Sequence, residues 1–243
     1  MLVRLLEFDP DLGRGIDPTD LPLARQAIVG VLETVASGRW IPDSAISDGV
    51  EAPFAALVIE GLMTRERAIA NATSAEIIGP GDVLDPWSPE PGTLPGGKIW
   101  TAMVPTKIAV LDRRFLLAVR RWPLLAVRLF ERVSEQNNRI SMHVAINGIR
   151  KVEQRILAML WHLADLYGKV RPDGVIVPLR LSHEAIGHLV GARRPTVSLA
   201  LSALIEQQLI RTEGKGGFLL LEGSRALLAP EPRAGPVALA SGF

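Results

Sequence analysis

The stretch LSHEAIGHLVGARRPTVSLALSALIEQQLIRTEGKGGFLLL, residues 181–221, decides the fold of this chain. Ser182 has the side-chain oxygen that a helix N-cap needs, and the apolar residues after it recur at the spacing of one helix face. Gly191 is suited to ending that helix, and Pro195 is suited to the first turn of a second one. The stretch therefore predicts two short helices joined by a tight turn.

The second helix has an apolar stripe that can pack on the first, formed by Val197, Leu201, Leu204 and Ile205. Beyond this helix, residues 210–212 and 218–221 predict two paired strands, joined by a glycine-rich turn with Lys215 at its tip. Two packed helices followed by a small β-hairpin form a winged helix-turn-helix.

A helix that begins with small polar and basic side chains can present them to base edges in the DNA major groove, which is about 12 Å wide. Arg193 and Arg194 can reach a phosphate or the edge of guanine, and Lys215 can neutralise a neighbouring phosphate. Any helical hairpin would show the same apolar spacing, but the basic turn and the wing favour DNA. The residues expected to bind double-stranded DNA are Ser182, His183, Arg193, Arg194, Pro195, Thr196, Ser198, Leu199, Ser202 and Lys215.

Charge is distributed unevenly along the 243 residues, although the formal net charge is only +1. Residues 1–149 carry 15 Lys/Arg and 18 Asp/Glu, a net charge of −3, whereas residues 150–225 carry 11 and 7, a net charge of +4. The basic part is the part that contains the helix-turn-helix, which is the asymmetry expected of a DNA-binding domain.

Several classes of protein are disfavoured by composition. The chain has no cysteine, which excludes disulfides and cysteine-ligated iron–sulfur clusters. No apolar run approaches 18 residues, and no signal peptide is recognisable at the N-terminus. We therefore expect a cytoplasmic protein that does not span a membrane.

The N-terminal half has a different texture. Residues 23–36 predict an amphipathic helix, and residues 40–111 have short apolar runs separated by Gly, Pro and Asp, which is typical of an antiparallel β-barrel or β-roll. A metal-dependent β-barrel enzyme would need imidazoles and carboxylates on its inward faces. All histidines lie outside this region, at positions 143, 162, 183 and 188. We therefore expect no catalytic residues, no metal and no cofactor.

A long helix is predicted from Leu124 to about Ile149, with no Gly or Pro before Gly148. Along it, residues recur at alternating steps of three and four, forming a heptad seam with one polar position. We predict that this seam is the interface of a homodimer, although it could instead pack on the barrel of its own chain. The seam residues are Phe130, Val133, Asn137, Ile140 and Val144.

The domain organisation follows from these assignments. Residues 1–122 are predicted to form a β-roll sensor-like domain, and residues 123–150 a dimerisation helix. Residues 151–224 are predicted to form the winged helix-turn-helix, and residues 225–243 a flexible tail rich in Pro, Ala and Gly. The fold class is α+β.

This order of elements closely resembles the Crp/Fnr family of bacterial transcription factors. The resemblance covers roughly residues 40–221 and is most specific in the helix-turn-helix, in IIGPGDVL at residues 77–84, and in IAVLDRRF at residues 108–115 leading through Trp122 and Pro123 into the long helix. It implies a homodimeric transcriptional regulator that binds a pseudo-palindromic operator, with RNA polymerase as a further partner, and no enzyme activity.

The departures from the family bear on mechanism. Members that bind cyclic nucleotides carry Gly-Glu-Leu after the Gly-Asp of the barrel and an Arg-Ser or Arg-Thr pair further on. Here the corresponding positions are Asp85-Pro86-Trp87 and Gly96-Gly97, so we expect no cyclic-nucleotide binding, although Lys98 could in principle meet a phosphate. The loop of residues 86–97 therefore differs from that of nucleotide-binding members.

The second helix also departs from the family pattern, which commonly has Arg-Glu-Thr-Val followed two residues later by another Arg. In this chain Pro195 stands in place of the base-reading glutamate of that pattern, and Leu199 stands in place of the second arginine. Arg194 remains the candidate for guanine readout, and Leu199 is a candidate for contact with a thymine methyl.

The alternative function is a ligand-binding β-roll signalling protein whose DNA binding depends on an effector or is vestigial.

Overall fold

The computed structural model describes residues 1–42, 52–88, 93, 96–214 and 216–229. Lys215 and most of the predicted tail, from residue 230 onward, lie outside the described residues, as do parts of the loop of residues 86–97. The chain divides into two compact units, Met1–Val144 and Ala145–Phe243. In the described ranges, no helix combines the length and the apolar character needed to cross a membrane.

The first unit is built on two antiparallel sheets. Within the described residues, one sheet has the strand order β1-β2-β9-β4-β7 and the other has the order β3-β8-β5-β6. This arrangement confirms the predicted β-roll. The strands are β1 Leu2–Arg4, β2 Val29–Val35, β3 Gly38–Trp40, β4 Ala55–Glu60, β5 Met63–Ile69, β6 Ala72–Ile78, β7 Val83–Leu84, β8 Lys98–Ala102 and β9 Thr106–Leu111.

The predicted helix over residues 23–36 is wrong in its second half. Helices α1 (Leu5–Phe8) and α2 (Leu21–Ala27) precede β2, and β2 occupies residues 29–35. Val31 of β2 pairs with Leu2 on one side and with Val110 on the other. Two partner strands supply the hydrogen bonds and packing that a β-branched segment favours, and these override the weak helical spacing.

Tryptophan contributes to the core of the roll. Trp40 and Trp100 are buried among the apolar residues of both sheets, and their rings meet edge to face with centroids 6.3 Å apart. Trp87 packs against the same cluster. The three side chains therefore help to form the core of the roll.

Helix α3 (Arg113–Arg121) follows β9 and begins at a well-formed cap. The side chain of Asp112 accepts a hydrogen bond from the backbone N–H of Arg114 at 2.9 Å. Burial alone would raise the pKa of Asp112, but the hydrogen bonds and positive charge of Arg114 outweigh it and hold the pKa below its ordinary value. The carboxylate is therefore ionised at neutral pH and stabilises the start of the helix.

The long helix α4 spans Leu124–Asn147 and is attached to the roll by a set of polar contacts that we call the clasp. The clasp consists of Arg132, Gln136 and Arg139 together with the turn of residues 79–83. The buried Gln136 accepts from the backbone N–H of Val83 at 3.0 Å and donates to the carbonyl of Val83 at 3.1 Å.

The other clasp contacts extend along the same face of α4. Arg132 donates to the carbonyl of Gly81 at 2.8 Å and to Asp9 at 2.6 Å, and Arg139 forms an ion pair with the buried Asp82. Steps of four and three place residues 132, 136 and 139 on one side of a helix. The clasp therefore fixes how α4 is rotated about its own axis on the roll.

The second unit contains three helices and a small antiparallel sheet within its described residues. The sheet has the strand order β10-β11-β13-β12. This confirms the predicted winged helix-turn-helix. The elements are α5 Val152–Tyr167, β10 Lys169–Arg171, β11 Gly174–Val177, α6 His183–Val190, α7 Arg194–Glu206, β12 Ile210–Glu213 and β13 Gly217–Leu221, followed by a 3₁₀ turn at Ser224–Leu228.

Candidate nucleic-acid interface

Helix α6 begins as the sequence predicts. Ser182 has extended backbone angles, and its hydroxyl accepts a hydrogen bond from the N–H of Ala185 at 3.0 Å. One of the unpaired N–H groups of the first turn is thereby satisfied. The hydroxyl of Ser182 is thus engaged in fixing the position of α6.

The turn between α6 and α7 is tight because two glycines permit it. Gly191 ends α6 in the left-handed conformation, with φ of +61°. At Gly187, a Cβ atom would lie closer than van der Waals contact to the carbonyl oxygen of Ala192. The N–H of Ala192 in turn donates to the carbonyl of Gly187 at 2.9 Å. The close approach of these backbones sets the direction in which the chain enters α7.

Arg155 also holds this turn, and sequence reasoning missed it. Its Nη1 donates to the carbonyl of Val190 at 2.9 Å and lies 3.5 Å from the carbonyl of Gly191. A cation at the C-terminus of a helix is favourable because the last carbonyls carry partial negative charge. The residue lies on α5, 35 positions before its partner, so no local sequence signal announces the contact.

Helix α7 packs through one apolar stripe, formed by Val197, Ala200, Leu201 and Leu204. The prediction that Ile205 belongs to this stripe is wrong, because its side chain is 40% exposed. Position 205 lies about 100° around the helix from position 204, and Ala200 takes the buried place instead.

The two arginines of the turn point to solvent. Arg193 occupies the N-cap position of α7 without a side-chain capping bond, and Arg194 is the first helical residue. Both are exposed, and neither guanidinium forms an ion pair within the part of the chain that the structure describes. Their charge is therefore available to a partner.

The structure leaves most of the other predicted DNA-binding residues exposed. Ser198 is half-buried, and Lys215 lies outside the described residues. On α7, positions 195, 199 and 202 lie on one side because they are separated by four and three residues. The exposed residues are Ser182, His183, Arg193, Arg194, Pro195, Thr196, Leu199 and Ser202.

Ser198 connects the two helices. Its hydroxyl donates to the carbonyl of Arg194 at 3.1 Å, and its oxygen lies 2.8 Å from Nδ1 of His183 on α6. A serine has a single hydroxyl hydrogen, so Nδ1 of His183 must donate if both bonds form together. The hydroxyl of Ser198 is therefore engaged inside the protein.

The hairpin after α7 has the dimensions of a wing. Strands β12 and β13 pair over four residue pairs, from Ile210 with Leu220 to Glu213 with Gly217. Arg171 of β10 lies 3.5 Å from Glu213, which joins the start of the hairpin tip to the neighbouring strands. Lys215, predicted at the tip of the wing, lies outside the described residues.

The predicted seam of α4 is largely open to solvent. Phe130 is 71% exposed and Val144 is 69% exposed, while Val133 and Ile140 are 48% and 37% exposed. Asn137 is exposed as well. The alternative that this seam packs on the roll of its own chain is therefore not what the structure shows, because the clasp side of α4 makes that contact.

Strands of the roll also hold a group of ion pairs around Lys98 and Arg65. Nζ of Lys98, a side chain 6% exposed, lies 3.1 Å from the carbonyl of Asp85 and 3.4 Å from its carboxylate. Arg65 pairs with Glu76 at 2.6 Å and lies 3.7 Å from Asp85. The cations of this region are thus already neutralised by carboxylates of the same chain.

Among the described residues, no group of three or more His, Asp or Glu side chains is arranged to hold a metal ion.

Comparison with known proteins identifies the C-terminal part. Residues 154–227 match the family described as the Crp-like helix-turn-helix domain. The global nitrogen regulator of Synechococcus elongatus is 31% identical over 93 residues, which are 38% of this chain and 42% of that protein. The chain thus matches about two fifths of the length of this curated relative.

Solved structures resemble the chain over more of its length. A mutant of CooA from Carboxydothermus hydrogenoformans has a TM-score of 0.64 at 17% identity, covering 82% of this chain and 86% of that one. FixK2 from Bradyrhizobium japonicum has a TM-score of 0.61 at 18% identity, covering 85% and 99%. At such identities the likeness concerns the fold. Residues 154–227 therefore form a Crp-like helix-turn-helix domain, within a chain whose overall fold is similar to those of CooA and FixK2.

Proposed function

We propose that this chain is a sequence-specific DNA-binding transcriptional regulator that acts as a homodimer. The observation that carries the proposal is the start of α7, where Arg193 and Arg194 are exposed and free of ion pairs among the described residues. A buried stripe anchors the helix on its inner side, so its outer side can enter a major groove.

Charge supports DNA as the partner. The net charge of +4 over residues 150–225 contrasts with −3 over residues 1–149, so attraction to phosphates acts on the part that contains α7. A guanidinium can bind O6 and N7 of guanine together, a contact worth about 1–3 kcal/mol of discrimination. Arg194, at the first helical position, is the residue we assign to that role.

The exposed seam of α4 supports the homodimer. Phe130 and Val144 each leave more than two thirds of the side chain in water, at positions that recur with the heptad spacing. A second copy of the same helix would cover this seam by two-fold symmetry. Two DNA-binding units related in this way read half-sites about 34 Å apart on one face of the duplex.

The ion pairs inside the roll support a regulator that does not bind cyclic nucleotide. A phosphate placed beside Lys98 would compete with Asp85 for the same ammonium group. The neighbouring guanidinium of Arg65 is already paired with Glu76, so it is not free to bind a phosphate in the bidentate way that makes phosphate burial favourable. The Gly96-Gly97 pair supplies neither a cation nor a hydroxyl.

The remaining partners follow from this role. A transcriptional regulator of bacterial type works in the cytoplasm, where the chromosome is, and acts on RNA polymerase. The relative from Synechococcus elongatus is named a regulator, which agrees with this assignment.

The test is selection of bound sequences from a pool of random duplexes by the purified, ligand-free chain. We expect a two-fold symmetric consensus, with affinity that falls steeply as salt concentration rises. Weak binding without any sequence preference would contradict the proposed readout by the ligand-free protein and would favour a requirement for an effector.

Matched variants of Arg194 sharpen this test. Arg194→Ala should weaken binding by about 1–3 kcal/mol per half-site and relax selection at one base pair of each half-site. Arg194→Lys keeps the positive charge but loses the planar guanidinium that binds guanine at two atoms. It should therefore lose selection at that base pair while weakening overall binding less than Arg194→Ala does. Arg150→Ala removes an equal charge just before α5 and should leave the consensus unchanged. An unchanged consensus with Arg194→Ala would contradict the assignment.

A further inference from the structure

The outer side of α7 carries exposed apolar side chains, which is unusual for a helix that enters a DNA groove. Leu199 is 75% exposed, although a leucine of this size is more stable when removed from water. Pro195 is exposed one helical turn before it, so the two side chains are neighbours on the surface. Together they form a small apolar ridge, which we call the Pro195–Leu199 ridge.

The polar side chains around this ridge restrict what α7 can recognise. Between Arg194 and Glu206 the helix has no carboxylate and no amide. Carboxylates accept hydrogen bonds from cytosine, and amides bind adenine at two atoms. Both of these specific readouts are therefore absent from the first three turns of α7.

The hydroxyl of Ser198, the residue that precedes Leu199, is also engaged. The hydrogen of Ser198 is donated to the carbonyl of Arg194, and its oxygen lies 2.8 Å from Nδ1 of His183. Breaking these contacts to read a base would give up two internal hydrogen bonds.

Thr196 and Ser202, three residues to either side of Leu199, keep exposed hydroxyls, but a hydroxyl can bond to more than one kind of base edge. The side chains left next to Leu199 for a selective readout are thus arginine and apolar groups.

Thymine presents the one apolar group of the major groove, its C5 methyl. We infer that the Pro195–Leu199 ridge reads a thymine methyl in each half-site, with Leu199 as the specificity-determining residue. The inference rests on the proposed function, because it names what α7 recognises once it lies in the groove. Burial of the methyl against Leu199 also explains why an apolar side chain is kept on the exposed side of the helix.

The experiment removes the methyl and nothing else. After the operator has been selected with the full chain, each thymine of the two half-sites is replaced in turn by deoxyuridine, which pairs identically but lacks the C5 methyl. Loss of one buried methyl should weaken binding about fourfold for one half-site and about fifteenfold when both are changed. The effect should be confined to the same one or two positions in each half-site.

Protein variants then connect that position to the ridge. In Leu199→Ala, the sensitive position should bind thymine and deoxyuridine equally. Ile205→Ala truncates another exposed apolar side chain of α7 and should keep the full deoxyuridine effect. Leu199 is 75% exposed and Ile205 is 40% exposed, so the denaturation profile of each variant is measured to show that it folds like the wild type.

The possible outcomes distinguish failure of the thymine contact from failure of the proposed DNA readout. A selected operator with no deoxyuridine-sensitive thymine, or a sensitivity that persists in Leu199→Ala, would overturn the inference and leave the proposed function standing. A pool from which the ligand-free chain selects no sequence would contradict the proposed readout by α7, and the inference would fall with it. Sensitivity that disappears only in Leu199→Ala would establish the methyl contact.

Discussion

Truncation of Phe130 tests the proposed dimer most directly. The side chain is 71% exposed on α4, and a fully buried aromatic side chain removes about 150–250 Å² from water. Phe130→Ala therefore deletes roughly 100 Å² of apolar surface per protomer, worth about 2.5 kcal/mol at ~25 cal/mol per Å² if a partner covers all of it. Two symmetric copies double that value to about 5 kcal/mol per dimer.

The expected result is a large rise in the dimer dissociation constant. Full coverage predicts a rise of several thousandfold, and coverage of half the area predicts a rise of roughly 60-fold. Sedimentation equilibrium over a range of concentrations measures the constant directly. In addition, operator binding should become dependent on protein concentration, because the dimer must form before both half-sites are bound.

A matched control makes the measurement specific. Phe8→Ala truncates another aromatic side chain of the same unit, 52% exposed and outside α4, and should leave the dissociation constant unchanged. The reasoning would be refuted if Phe130→Ala changed the constant less than fivefold while the denaturation profile stayed that of the wild type. In that case the exposed seam would face some other partner.

Three further substitutions test the contacts that hold the fold and the reading helix. Gln136→Leu should destabilise the first unit by about 2–4 kcal/mol in urea denaturation, because it leaves the backbone N–H and carbonyl of Val83 without partners. Asp112→Ala should cost about 1 kcal/mol at pH 7 through loss of the cap. Because the pKa of Asp112 in the folded protein lies below its ordinary value of 3.8, this contribution is fully present above that value and is lost as pH falls through the folded pKa, so variant and wild type should converge in acid denaturation only below the folded pKa. Gly187→Ala should lower the stability of the second unit by about 1–3 kcal/mol and abolish operator binding, since the new Cβ would press on the turn between α6 and α7. Gly97→Ala, where a Cβ would meet nothing within 4 Å, should change neither stability nor binding and serves as its control.

Much of the second unit could be predicted because its signals are local. Ser182 caps α6, Gly191 ends it in the left-handed conformation, and Pro195 lies in the first turn of α7, as the residue types require. The apolar stripe of α7 was predicted correctly apart from Ile205. That one error arose because positions 204 and 205 both fit a broad apolar face, and only packing against neighbouring elements decides which of them is buried.

The first unit was less predictable from its sequence. The segment from Val29 to Val35 has spacing compatible with a helix, yet it lies between two partner strands. Its conformation depends on hydrogen bonds to residues nearly 80 positions away, which a local pattern does not contain. The β-roll as a class was nevertheless recognisable from its short apolar runs and turn residues.

By itself, the sequence determined the elements whose stability comes from neighbouring residues: the capped helices, the glycine turn, the heptad spacing of α4 and the basic start of α7. Tertiary structure alone decided which polar side chains are engaged in hydrogen bonds or ion pairs and which side chains are left exposed. It pairs Lys98 with Asp85, engages Ser198 with His183, brings Arg155 to the end of α6, and turns α4 so that the clasp is buried and the seam is exposed. The physical reason is that hydrogen bonds and ion pairs depend on distances between groups far apart in the chain, whereas helix capping and periodicity depend on residues within one or two turns.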